Sequence, residues 1–367
     1  MGKKIVVLFV TLGLLAAFVV GCATPSATPT PTATPTSSSP TPSPTAATKL
    51  LVVGILPSPA NEGTWCTTIM DGFANAQKVV AFDLHLNEST QNQDANKAMT
   101  DWAGQKVNVI MCHGNQYTDS AIEVASRFPN VYFIGEAYID PDSIVGDPGQ
   151  DKYQKANTPR NFVLAGVTVE VGNYLAGYAA GLMSKTGMLG VLQPFEAPPL
   201  NSMSNAFIFG AQAANPAIKF SVVYMGNYVA PDLTRDAVKS LKEQGADIIL
   251  SEMDDNSAIL ECAANGIYCI TPWAERHDLD PKTNLVSVVI DFSIPLTGAL
   301  KAIQSNTWDA YRESNYFTPQ TLANTALKLG IWGDTVPEDV KTKVAALEAK
   351  FKDGSLKVKW STEKIAQ

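Results

Sequence analysis

Aromatic, amide-bearing and acidic side chains recur in this sequence at one kind of place, just after short apolar runs. They are Trp65; His113, Asn115 and Tyr117; Glu136 and Tyr138; Gln193 and Phe195; Asn227 and Tyr228; Asp254 and Asp255; Trp273 and Glu275. A ring stacked on a flat base contributes about 1–3 kcal/mol, whereas one neutral hydrogen bond contributes about 1 kcal/mol net. The set therefore suits a flat, polar, neutral heterocycle or a sugar. It is poorly suited to catalysis. The chain has no GxSxG elbow, no phosphate-cradling loop and no histidine with an evident acid and nucleophile. Asp254 and Asp255 are adjacent, and adjacent side chains usually point apart, so a carboxylate dyad is not expected and an extracellular nucleosidase or esterase is disfavoured. With only His85, His113 and His277 and no CxxC or HExxH spacing, neither a metal centre nor a cofactor is expected.

Each candidate also has a packing explanation. Trp65 and Trp273 can fill a seam between domains, His113 can be a satisfied core histidine, and Glu136 can pair with a cation at a hinge. Asp254 precedes a helical pattern in Asp254-Asp255-Asn256-Ser257, and a residue so placed is more often an N-cap than a ligand anchor. Asp291 and Phe292 end a strand where packing is the simpler role. The functional reading rests on the set.

The elements that must position these residues alternate strand and helix. Strand-length apolar runs at 50–56, 82–86, 107–111 and 131–134 are separated by helical patterns at 67–80, 94–102 and 120–128. After a polar, Pro- and Gly-rich loop over 141–159, a second series places strands at 187–192, 220–224, 248–250 and 268–270, with helices at 171–183, 202–214, 233–244 and 258–264. Leu233, Ala237, Val238 and Leu241 form an apolar stripe on the third of these helices. Gly104, Gly245 and Gly266 each stand between a helix and a strand, where a left-handed C′ residue is needed. A strand at 285–290 and helices at 295–303 and 337–351 are expected to cross between the halves. The fold class is α/β: two lobes, each a doubly wound, mostly parallel sheet with helices on both faces, and a hinge between them. The expected division is 49–165 with about 272–300 in lobe 1, and 166–271 with about 301–367 in lobe 2. Ligands of such sheets bind beyond the carboxyl ends of the strands, where the marked residues fall.

Ahead of this body stand Lys3 and Lys4, an apolar run over 5–20, and Gly21-Cys22. A basic head, an apolar segment short for a membrane span and small residues before a cysteine describe an export signal over 1–21 and a lipidated Cys22. Residues 23–48 are all Ala, Thr, Pro or Ser, an extended leash reaching about 80 Å at most. The body is thereby expected to be extracytoplasmic and lipid-anchored to the cell membrane. The formal net charge of -8 becomes -10 once Lys3 and Lys4 leave, so a nucleic-acid partner is not expected. Cys66 with Cys112, or Cys262 with Cys269, are conceivable bridges in an exported protein, and unpaired buried thiols are the alternative.

Several stretches give the chain a family resemblance. They are Glu170-Val171-Gly172-Asn173-Tyr174-Leu175-Ala176-Gly177, Lys185-Thr186-Gly187-Met188-Leu189-Gly190, Gly210-Ala211-Gln212-Ala213-Ala214-Asn215-Pro216, Gly245-Ala246-Asp247-Ile248-Ile249, and a tail with Asn306-Thr307-Trp308 and Lys352-Asp353-Gly354. With the leader and the two-lobe pattern, the chain resembles the basic membrane protein (BMP) family of lipoproteins, substrate-binding components of ABC importers for purine nucleosides and related bases. The tail is similar to the branch that takes purine bases such as adenine. The resemblance implies a type I periplasmic-binding-protein fold, a purine-like small molecule held between aromatic rings, an ABC permease and ATPase as partners, and a monomer. By position, Trp65 and Tyr228 match the family's aromatic residues, and Asp254 and Glu275 its acids. The chain departs in its first loop, Asn61-Glu62-Gly63-Thr64-Trp65-Cys66, and at Asn115, where the family has an aromatic. A free base or another small polar molecule therefore stands beside a nucleoside as the expected ligand. A sugar receptor, and a sensor reporting to a membrane signalling partner, are the alternative uses of the same fold.

Overall fold

Apolar strands such as Leu-Leu-Val-Val-Gly-Ile need cover on both faces, and this chain supplies it by alternating them with helices. The computed structural model describes residues 49–138 and 151–365. The leader over 1–21, Cys22, the 22–48 linker and the first part of the expected 141–159 loop lie outside the described residues. In the first series, β1 (Leu50–Ile55), α1 (Trp65–Gln77), β2 (Phe82–Asn87), α2 (Ala95–Gly104), β3 (Val109–Cys112), α3 (Thr118–Arg127), β4 (Tyr132–Ala137) and β5 (Phe162–Gly166) follow one another. The second contains α4 (Glu170–Met183), β6 (Met188–Gln193), α5 (Pro198–Ala214), β7 (Lys219–Tyr224), α6 (Pro231–Glu243), β8 (Ile248–Ser251), α7 (Ser257–Asn265), β9 (Tyr268–Trp273) and β10 (Asn284–Ile290). The chain ends through α8 (Ser293–Gln304), α9 (Trp308–Asn315), β11 (Phe317–Pro319), β12 (Leu327–Leu329) and α10 (Glu338–Lys352).

Two sheets result among the described residues, in the orders β11-β5-β4-β3-β1-β2 and β12-β10-β9-β8-β6-β7. Every pairing is parallel except β10 with β12. This corrects the expected division. Strand β10, placed by sequence in lobe 1 with 272–300, pairs with β9 in the second sheet. It is almost wholly buried, and the open edge of β9 lies nearest to it. Conversely β11, expected in lobe 2 with 301–367, pairs with β5 of the first sheet. Among the described residues the chain passes between the sheets three times, at 167–169, 291–292 and 320–326. These crossings are bonded to one another. Gln320 N–H donates to Gly166 O at 3.1 Å and Asp291 N–H to Ala326 O at 2.7 Å, and the Thr168 hydroxyl donates to Gln320 O.

Helices α4 and α5 meet backbone to backbone. A Cβ on Gly177 would stand 2.0 Å from Phe207 O, and one on Gly210 would stand 1.9 Å from Tyr174 O, so glycine alone permits the crossing. Gly245 and Gly266 take left-handed φ of 98° and 65° as expected, but Gly104 does not. It ends α2, and Lys106 takes the left-handed turn at φ 60°. Of the α6 stripe, Ala237, Val238 and Leu241 are buried, whereas Leu233 is 58 % exposed. Cys66, Cys112, Cys262 and Cys269, the cysteines among the described residues, are buried and form no disulfide.

The glycine argument is open to test by urea unfolding. Gly210→Ala lowers stability by about 3 kcal/mol or more, because a backbone carbonyl cannot yield as a side chain does. Gly104→Ala, in helical geometry with nothing within 4 Å of the added carbon, is neutral or stabilising by up to about 1 kcal/mol.

Candidate functional site

The carboxyl ends of both sheets face a shared cavity of about 520 Å³, within the usual range of about 300–1,000 Å³ for small-molecule sites. From the first sheet, Ser58 follows β1, Gln91 follows β2, Asn115 and Gln116 follow β3, and Tyr138 follows β4, while Trp65 opens α1. From the second, Asn227 and Tyr228 follow β7, Glu252 and Asp254 follow β8, and Trp273 closes β9. Of the residues singled out by sequence, the structure thus brings together Trp65, Asn115, Tyr138, Asn227, Tyr228, Asp254 and Trp273.

His113, Glu136, Phe195 and Glu275 do not line the cavity. His113 is fully buried. Its Nδ1 lies 2.8 Å from Glu136 Oε1 and its Nε2 lies 3.0 Å from the carbonyl of Trp65. That carbonyl can only accept, so Nε2 carries hydrogen. The second Glu136 oxygen accepts the Gly114 N–H at 2.7 Å. Glu136 therefore serves the histidine and loop beneath the site, and no Lys or Arg pairs with it among the described residues. Phe195 is 38 % exposed and meets the Tyr228 ring edge-on at 5.2 Å, outside the cavity. Glu275 ties two loops, accepting from the amides of Arg276 and His277 at 2.9 Å and of Ile331 at 2.6 Å. Tyr117 is also buried, its hydroxyl donating to Thr90 O. The N-cap alternative for Asp254 fails as well: Asn256 holds the position before α7, and the Ser257 N–H is taken by Asp255 Oδ1 at 2.8 Å.

The His113 ring lies under Trp65, with centroids 4.2 Å apart and planes within 14°. Trp273, from the other lobe, meets Trp65 edge-on at 4.8 Å, and Phe292, at a crossing, meets it edge-on at 5.8 Å. The two tryptophans pack against each other at the seam between the sheets and also line the cavity. Trp273 is 3 % exposed, its φ is +76°, and its indole N–H has no partner among the described residues. A left-handed non-glycine residue is strained, and such strain gathers at binding sites.

The electrostatics of the cavity are acidic. Glu252, 1 % exposed, accepts from Asn173 Nδ2 at 2.9 Å through one oxygen, and its other oxygen has no partner among the described residues. Burial pushes its carboxyl up to about 8, against the smaller opposing effect of the Asn173 bond. Asp254 is held well above the usual carboxylate range by enclosure and by Glu62, Glu252 and Asp255 nearby. Burial also raises Glu62. A carboxyl that keeps its proton both donates and accepts, which suits a ring edge bearing N–H and N side by side. Ser58, Gln91, Gln116 and Glu252 escaped the sequence reading. Glu252 was legible, as it directly follows an apolar strand and precedes Asp254 by two residues.

The family model for ABC transporter substrate-binding proteins, PnrA-like, matches residues 49–310. A purine-binding protein of Brucella abortus is 26 % identical over 271 residues, covering 74 % of this chain and 71 % of that protein. A putative ABC transporter glucose-binding protein of Haloferax volcanii is 26 % identical over 185 residues, 50 % of this chain and 46 % of that one. Among solved structures, an ABC transporter solute-binding protein from Conexibacter woesei aligns with a TM-score of 0.67 at 20 % identity, covering 84 % of this chain and 98 % of its own. The fold is that of type I periplasmic solute-binding proteins. Two sheets opening onto one cavity, joined by three crossings, and the match over most of the body lead to one conclusion: the chain belongs to the PnrA-like family of ABC transporter substrate-binding proteins.

Proposed function

We propose that this protein is the extracytoplasmic receptor of an ABC importer, tethered by a lipid on Cys22, and that it binds a purine base or nucleoside-like molecule in the cavity between its sheets. The observation that carries this reading is the convergence of aromatic rings from both lobes with Asp254, Glu252 and four amide side chains on one cavity. The name of the Brucella relative supports the ligand class. No chemical step is required of it. A ligand touching both lobes favours the closed state by its differential affinity, and the closed receptor would dock on a permease served by an ATPase. A sugar is the second reading, supported by the amides Gln91, Asn115, Gln116 and Asn227 and by the name of the Haloferax relative.

A thermal-shift panel of adenine, guanine, hypoxanthine, their nucleosides and common sugars separates the two. A purine at about 100 times its dissociation constant adds roughly 2.7 kcal/mol and raises the midpoint by several degrees. A shift with a sugar and none with any purine overturns the purine reading. Tyr228 is 48 % exposed, so Tyr228→Ala spares folding while weakening purine binding about 5- to 150-fold, the loss of one stacked ring. Trp65→Ala would confound binding with folding, because that ring is buried on His113.

The Glu252 carboxyl gives a pH signature of the folded protein. Its folded value lies above its ordinary one, so its stabilising contribution is whole below about pH 4.5 and is lost as the pH rises through about 8. Asp254 and Glu62 act with the same sign. Glu252→Gln therefore flattens, without abolishing, the fall of the melting temperature across that window. An unchanged slope would show that Glu252 is ionised throughout.

A further inference from the structure

A second cavity, of about 380 Å³ and sharing no lining residue with the first, lies where the start of α4, the 320–326 crossing, β12, the end of α10 and the 354–360 tail come together. Its wall is mainly apolar, with Val171, Leu322, Leu327, Phe351 and Trp360 among its residues. Gln320 breaks that wall. It is 1 % exposed, and neither its side-chain oxygen nor its side-chain nitrogen has a hydrogen-bond partner among the described residues. A buried polar atom left unpaired costs about 1–3 kcal/mol, and here one planar amide leaves both of its atoms unpaired. Its backbone is fixed, with the N–H given to Gly166 O and the carbonyl taken by the Thr168 hydroxyl, so the side chain cannot leave without disturbing the crossings. The two charged residues bordering the cavity, Glu170 and Lys357, each have an interaction within the protein.

We propose that this cavity is a second small-molecule site, for a neutral compound with an apolar body and one amide-like edge that pairs with the Gln320 carboxamide. An apolar enclosure with a single planar donor and acceptor pair is the usual anatomy of a specific small-molecule site. Thr168 and Gln320 stand on two of the three crossings between the lobes. An occupant therefore touches residues that must turn when the lobes move, and it shifts their equilibrium to the extent that it binds one arrangement better. The site is separate from the cavity at the strand ends and does not depend on what that cavity binds.

The probe is octanamide, titrated into the full-length protein by calorimetry, with 1-octanol as the partner lacking the amide. Saturable binding of one octanamide is expected, with 1-octanol weaker by about tenfold or more, the equivalent of one hydrogen bond in a buried site. Gln320→Leu weakens octanamide by a similar factor. Trp360→Ala, in the half-buried tail, weakens it without touching the crossings and carries the test should Gln320→Leu fail to fold. Hydrogen exchange at the amides of 166–169 and 320–321 slows when octanamide is bound. No saturable binding at millimolar octanamide, or equal affinity in both variants, overturns the site; unchanged exchange with octanamide bound overturns its link to the hinge.

Discussion

The imidazole of His113 holds the centre of this protein. It is fixed through one nitrogen by Glu136 and through the other by the carbonyl of Trp65, and it lies flat beneath the Trp65 ring. A buried, hydrogen-bonded ring of this kind cannot swing, so the tryptophan above it cannot either. Trp273 from the second sheet and Phe292 from a crossing then close on the same ring. One side chain thus ties the first sheet, the second sheet and the hinge together, and the cavity inherits a wall whose position is set before any ligand arrives. Preorganisation of this kind limits the ordering cost of binding.

The acids around the cavity follow from the same enclosure. Asp254, Glu252 and Glu62 share a space where charge is poorly solvated, and each is pushed toward keeping its proton. The negative surface read from the composition is therefore not continued as full charge inside the site. Neutral carboxyls favour an uncharged polar guest over a cation, in line with the amides that share the lining.

Much of this was legible in the sequence, because buried parallel strands announce themselves as continuous apolar runs. What escaped were the pieces that carry no such pattern. Strands β11 and β12 are three residues each and exist only as edges of sheets already formed. Strand β5 directly follows the Pro-rich loop that drew attention from it, and α9 has too little apolar surface to show a period. At the cavity, the rule that ligands gather beyond strand ends picked out the lining residues Trp65, Asn115, Tyr228, Asp254 and Trp273. It failed for His113 and Glu136 because it cannot say which way a side chain turns. Both turn inward and complete each other's hydrogen bonds. Glu275 failed for a related reason, since three backbone amides claim its carboxylate.

The three crossings also set an order on the making of the protein. Strand β11, which closes an edge of the first sheet, and helix α8, which covers α1, both lie beyond β10, after nearly all of the second sheet has been laid down. The amino-terminal half cannot finish its own structure during synthesis, however early it leaves the ribosome. It waits, with α1 uncovered until residue 304 and β5 unpaired on one side until residue 319 is available. Long-range closure of this kind slows folding, and a chain that stays open until late is one that can still be threaded through a narrow pore.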